Sequence, residues 1–248
     1  MLLFTEFLLR LAFGLAGAMA VVPPKQVTSG YFRNHLYVTL GLSALAALLS
    51  RAVAPAAFAP ALAAAIVSYV GSVMWLYEKP LPGKISLVAV AILAYAGAWR
   101  LLSPPPAPTW HDALRVAHLT ASGATLGLVM AAMLLGHWYL NAPGMALAPL
   151  RRLIALAAIA VLAHAALCGV GLSLEISARS APTTWWMFNA LRWSFGLVGV
   201  MILLGMAWRT LDIPNTQSAT GILYVAVIGT FVGETMSLLL SAESAYPL

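Results

Sequence analysis

The sequence predicts an all-α, polytopic integral membrane protein: about eight transmembrane helices in one helical domain over residues 1–248, with no extramembrane domain. Three observations carry that expectation. Of 248 residues, 62% are hydrophobic and 8% charged, whereas soluble domains hold about 25% charged and 45–50% apolar residues. The apolar residues fall into eight stretches between short polar breaks, most close to the ~20 residues that one helix needs to cross a bilayer. Nothing alternates with period two, as the strands of a spanning barrel would. This composition excludes a cytosolic enzyme, a nucleic-acid-binding domain and a disordered regulator. Thirteen Lys and Arg against seven Asp and Glu give a formal charge of +6, which suits loops beside an anionic lipid surface. The single cysteine, Cys168, excludes a disulfide framework and a thiolate cluster, and in an apolar helix it is expected to be inert packing.

In chain order, spans are expected at 3–22, 36–49, 56–76, 85–102, 113–140, 152–174, 186–208 and 219–240. The first carries Glu6 and Arg10 inside its apolar run, where a signal peptide has a basic leader and a small-residue cleavage site. It is therefore expected in the mature chain, although the small residues at 18–20 resemble such a site. The second stretch is short and must recruit 31–35 or 51–53. Turn chemistry marks the breaks: Pro23-Pro24, Pro80 with Pro82-Gly83, Ser103 followed by Pro104 to Pro106, Pro143-Gly144, Pro182, and Pro214-Asn215. No internal repeat suggests inverted halves. All eight tryptophans (Trp75, Trp99, Trp110, Trp138, Trp185, Trp186, Trp193 and Trp208) fall within about two turns of an expected helix end, where the indole suits the headgroup level. One set of loops carries Lys25, Arg33, Lys79, Lys84, Arg151, Arg152 and Arg209, and the other Arg51, Arg100, Arg115 and Arg179. That imbalance favours both termini outside the cytoplasmic membrane.

A charge within a span costs several kcal/mol unless it is paired or faces water, so each needs a reason. On the fifth span His111, Arg115, His118, Ser122 and Thr125 recur at helical spacing and share one face, below an expected Thr109–Asp112 capping box. Matching stripes are Thr230, Glu234, Ser237 and Ser241 on the eighth span, Trp185, Asn189, Arg192, Gly196 and Gly199 on the seventh, and Glu6, Arg10, Gly14 and Gly17 on the first. The glycines permit close approach of a neighbour or ligand. With alternating spans, Glu6, Arg10, Arg115, His118, Arg192 and Glu234 fall in one half of the bilayer. They would form either a register-fixing set of pairs or a site for a polar ligand head and protons.

His164 lies mid-span on a face with Cys168, Gly171 and Glu175, and is expected to hydrogen-bond between helices. His35 and His137 sit near the opposite interface and read as anchors, with a ligand or docking role open. Counted at 1.5 Å per residue, His118 lies ~9 Å and His164 ~15 Å from their surface. This mismatch argues against a b-type haem held between them, with His164 its ligand if haem is present. His35 and His137 match in depth but look too superficial.

The last span runs from Gln217-Ser218-Ala219-Thr220-Gly221 to Gly233-Glu234. In ending on a Gly-Glu segment it resembles the eight-helix, haem-free, quinone-interacting membrane anchors of molybdoenzyme complexes of the polysulfide-reductase and DMSO-reductase type. It departs from the latter in having no Arg shortly after the Glu. The resemblance implies an electron-transfer subunit that binds menaquinone or ubiquinone in the outer half of a bacterial inner membrane. Its redox centres would lie on cofactor-bearing partner subunits, and no nucleic acid would be involved. In that reading His118 and Glu234 accept protons, Arg115, Arg192 and Asn189 bind the ring, and Glu6 with Arg10 controls the proton exit. A proton- or anion-conducting transporter, a haem-b subunit and a purely structural subunit are the alternatives.

Overall fold

A computed structural model describes residues 1–102, 110–142, 144–178, 182–213 and 215–248. The expected breaks at 103–106, Pro143 and Pro214, the cation Arg179 and the Thr109 half of the capping box lie outside the described residues. Among the described residues all regular structure is helical, and eight helices are long and apolar enough to cross a membrane. They are α1 (Leu2–Ala20), α2 (Ser29–Val53), α3 (Pro55–Leu76), α4 (Pro80–Trp99), α5 (Trp110–Asn141), α6 (Ala148–Ala178), α7 (Thr183–Thr210) and α8 (Thr216–Glu243).

Most helices extend beyond their apolar stretch, because hydropathy marks the segment suited to hydrocarbon whereas the hydrogen-bond ladder continues through polar flanks. The short second stretch recruits both of its flanks. The break expected at Pro82-Gly83 is instead the first turn of α4. Proline is tolerated there because the first amides have no intrahelical acceptor, and Gly83 leaves room for the Trp75 indole. Pro182 and Asn215 stand at N-caps as turn residues should, and Asn215 Oδ1 accepts from the Ser218 amide at 3.0 Å.

Consecutive helices α2, α3 and α4 pack on one another, and α1 is wedged between that group and α5. α5 in turn packs on α6 and α8, and α8 on α7. The outer surface is apolar: Ile66, Ile92, Ile159, Leu162, Ile202 and Ile228 are each more than half exposed. So much contiguous apolar surface is the mark of a membrane or partner interface. Trp75 and Trp185 lie within a turn of a helix end, as expected, but pack inward there, and Trp193 lies deeper. Trp75 is buried and stacks on Phe32 with ring centroids 4.1 Å apart, Trp185 is buried, and Trp193 stands nearly three turns into α7, against the core.

Candidate functional site

Two glycine contacts bring the charged stripes together. Gly14 of α1 meets Gly123 and Gly127 of α5 backbone to backbone, and Gly196 of α7 meets Gly233 of α8 in the same way. A side chain at any of these would run into the facing helix, so small residues set the interhelical distance. The first contact lies one turn from Arg10 and beside Ser122, and the second one turn from Arg192 and beside Glu234. Arg192 also opens a π-helical stretch, Arg192–Gly199, within α7. Such widened turns are frequent at functional sites.

The stripes converge in two linked groups. In the first, Arg10 donates to the Glu6 carboxylate, to Glu234 Oε1 at 2.7 Å and to Ser122 Oγ at 2.9 Å, while Ser122 donates to Glu234 Oε1 at 2.5 Å. In the second, His118 Nε2 faces His164 Nε2 at 3.2 Å, and Arg192 Nη2 donates to His164 Nε2 at 2.8 Å and to Cys168 Sγ at 3.3 Å. Ser237 stands 3.4 Å from His118 Nε2 and packs in the same layer. Glu6, Arg10, His118, His164, Arg192 and Glu234 are all less than a tenth exposed.

A cavity of about 340 Å³ opens onto these groups, lined by Glu6, Arg10, Arg115, His118, Ser241 and Tyr246 among others. That volume is at the lower end of small-molecule sites. Trp110, His111 and Tyr246 cluster as aromatic neighbours, with Tyr246 5.1 Å from the His111 ring. Glu175 Oε2 accepts from the backbone amide of Ala245 at 3.0 Å, which holds this segment in place. A second, apolar crevice of about 580 Å³ lies between α1 and α8 on the outer surface, lined by Phe4, Phe7, Phe231, Val232, Met236 and Leu239. Leu3 and Leu238 belong to both walls, so the polar cavity and the apolar crevice are adjacent.

Four of the expected site residues therefore line one cavity: Glu6, Arg10, Arg115 and His118. Glu234 lies behind Arg10, and Arg192 behind His118, so neither reaches the cavity wall. Asn189 donates to the Trp185 carbonyl at 3.1 Å in its own helix, and its Oδ1 has no partner. It is not brought to the cavity.

The depth argument that separated His118 from His164 fails. Helix ends on the same side are staggered, so residue counts from each end do not measure a common depth. The two rings touch, with planes 66° apart. A haem would need a nitrogen about 2 Å from iron on each face of its macrocycle, and this contact leaves no room for the ring. Cys168 is not surrounded by apolar packing alone: one turn after His164 on the same face of α6, its sulfur enters the polar centre. That i, i+4 spacing was readable in the sequence, whereas the lid-like position of Tyr246 carried no signal. His35 is buried, with Nδ1 2.6 Å from the Tyr31 carbonyl and its ring over Tyr31, and His137 lies near the Tyr224 hydroxyl at 3.3 Å. Comparison with family models, curated proteins and solved structures returns no match for this chain.

Proposed function

We propose that this chain is a multi-pass subunit of a respiratory-type electron-transfer complex in a bacterial inner membrane, and that it binds a quinone or quinol where the polar cavity meets the α1–α8 crevice. The observation that carries the reading is the shared wall of Leu3 and Leu238. A ligand with a polar ring and a long apolar tail needs a pocket of each kind, side by side, and the crevice opens on the apolar outer surface through which such a ligand would arrive. A water-borne anion or a proton has no use for the crevice, which favours this reading over a transporter.

The cavity supplies donors and a proton acceptor. Arg115 and Arg10 would hold the ring oxygens, and His118 would accept a proton as the quinol is oxidised. Glu6, on the cavity wall, would pass that proton to water. Menaquinone and ubiquinone both fit this chemistry. Oxidation of the quinol releases two electrons and two protons, and the electrons would go to redox centres on cofactor-bearing partner subunits. Glu234 and Arg192 act from behind, by holding Arg10 and His164. One observation favours a structural share for part of the network: Arg10 is already neutralised by Glu6 and Glu234. The basic loops of 25–33, 79–84, 151–152 and 209 would face the cytoplasm, with both termini outside.

The test is calorimetric titration of the purified chain in nanodiscs with short-tailed ubiquinone and menaquinone analogues. His118→Ala and Arg115→Gln are expected to weaken binding by at least about tenfold, near 1.4 kcal/mol. Leu238→Trp, which fills the passage without touching a charge, should do the same. Binding that survives both His118→Ala and Leu238→Trp would refute the site.

A further inference from the structure

We propose that His118, His164 and Cys168 form a binding site for a soft monovalent metal ion, with copper(I) as the fit. This goes beyond the quinone reading and does not depend on it. The donors come from two helices: His164 and Cys168 lie one turn apart on the same face of α6, and His118 faces them from α5. Their ligand atoms all lie within 4.8 Å of one another, and all three residues are no more than 2% exposed. An ion that holds two imidazole nitrogens at about 2.0–2.1 Å in the three-coordinate geometry of a two-His, one-Cys site sets them roughly 3.5 Å apart, within a few tenths of an ångström of the spacing here. The two Nε2 atoms already stand at 3.2 Å.

One further observation points to a ligand, and another fixes the tautomer. Arg192 Nη2 donates to both His164 Nε2 and Cys168 Sγ, so two of the three donors already aim their lone pairs at one cationic group, whose place the ion takes. His164 Nδ1 is buried without a partner. An imidazole that accepts at Nε2 carries its proton on Nδ1, and that tautomer leaves Nε2 free to bind metal.

Charge selects the ion. The paired Glu6, Arg10 and Glu234 carry formal charges that sum to one negative charge, which the formal charge of Arg192 balances. When the ion binds, the S–H bond of Cys168 breaks, the S–metal bond forms, and the proton leaves past His118 into the cavity. A monovalent ion thus adds no net charge to the interior, whereas a divalent one adds a charge that burial penalises heavily. Thiolate with imidazole also suits copper(I) by softness. The ion's valence does not change in this step. It enters along the cavity past Glu6, and His118 is the first ligand it meets.

The experiment is anaerobic titration of the purified full chain with copper(I) against the chelator bicinchoninate, with silver(I) as a redox-inert probe. One equivalent per chain is expected, with an X-ray absorption shell of one sulfur and two nitrogens. Cys168→Ser and His164→Ala are expected to lower affinity by about a hundredfold, and Arg192→Gln to raise it about tenfold by removing the competing guanidinium. The proposal fails if the native chain cannot take copper(I) from the chelator, or if Cys168→Ser binds like the native chain. Zinc(II) held as tightly as copper(I) also overturns it. Should the variants not fold, the native absorption shell decides, since a shell without sulfur excludes the site. Quinone-analogue binding is measured on the same preparations: no copper binding with intact quinone binding sinks this site alone, and the converse sinks only the quinone reading.

Discussion

Helices α2–α4 bury Thr39, Ser50, Ser68 and Ser72 as completely as α1, α5, α7 and α8 bury Glu6, Arg10, His118, Arg192 and Glu234, but the two regions satisfy these groups differently. Ser50, Ser68, Ser72 and Ser86 each donate to a carbonyl three or four residues back in their own helix, and Thr39 does so as well as reaching Ser68 at 3.1 Å. For these hydroxyls each helix brings its own partner, with Ser43 Oγ the buried exception, and the small side chains let neighbours pack closely around an alanine-rich core. In the other region Glu6 and Arg10 pair within α1, but the rest of the network is satisfied only across helices. Arg10 of α1 needs Ser122 of α5 and Glu234 of α8, and His164 of α6 needs His118 of α5 and Arg192 of α7. The difference teaches how to separate two kinds of buried polarity: locally satisfied hydroxyls stabilise packing, while ionisable groups that depend on several helices mark the place where chemistry can occur.

Substitutions on either side should break or sharpen this contrast. The largest effect is expected for Arg10→Met, which leaves Glu6 and Glu234 buried and adjacent without a cation. A loss of about 3–5 kcal/mol is expected, measured as unfolding in mixed micelles of increasing denaturing detergent. Adding Glu6→Gln and Glu234→Gln to that change should restore most of the stability, because no uncompensated charge then remains. If it does not, the network contributes more to packing than to charge balance. Next comes Gly127→Leu, which forces α1 away from α5. A cost of about 1–3 kcal/mol is expected, with weaker quinone-analogue binding because Arg10 moves with α1. The smallest effect belongs to Ser68→Ala in the other region, within about 0.6 kcal/mol by the same measurement and with ligand binding unchanged. A Ser68→Ala cost as large as that of Arg10→Met would erase the distinction.

Much of this was legible along the chain. The helix count follows from apolar run length, and the buried faces of α1, α5, α7 and α8 follow from polar residues at helical spacing, since a helix shows its own periodicity without any neighbour. Three things were not legible. Pro82-Gly83 reads as a break by local chemistry, yet it begins a helix because the first turn needs no amide and Trp75 fills the space over Gly83. Depth counted from each loop placed His118 and His164 apart, although stagger brings their nitrogens into contact. Cys168 reads as apolar packing in a hydrophobic run until the polar centre it enters is known.

Apolar length and charge scarcity by themselves determined that the chain forms eight membrane-length helices with ionisable residues on a few inward faces, because burying an unpaired charge or an open backbone in an apolar medium is too costly for other outcomes. Which charges meet was decided only by the tertiary structure. The glycine contacts at Gly14–Gly127 and Gly196–Gly233 set the distances and stagger between helices far apart in the chain, and those distances divide the ionisable residues among the cavity wall, the ion pairs behind it and the His–His–Cys cluster.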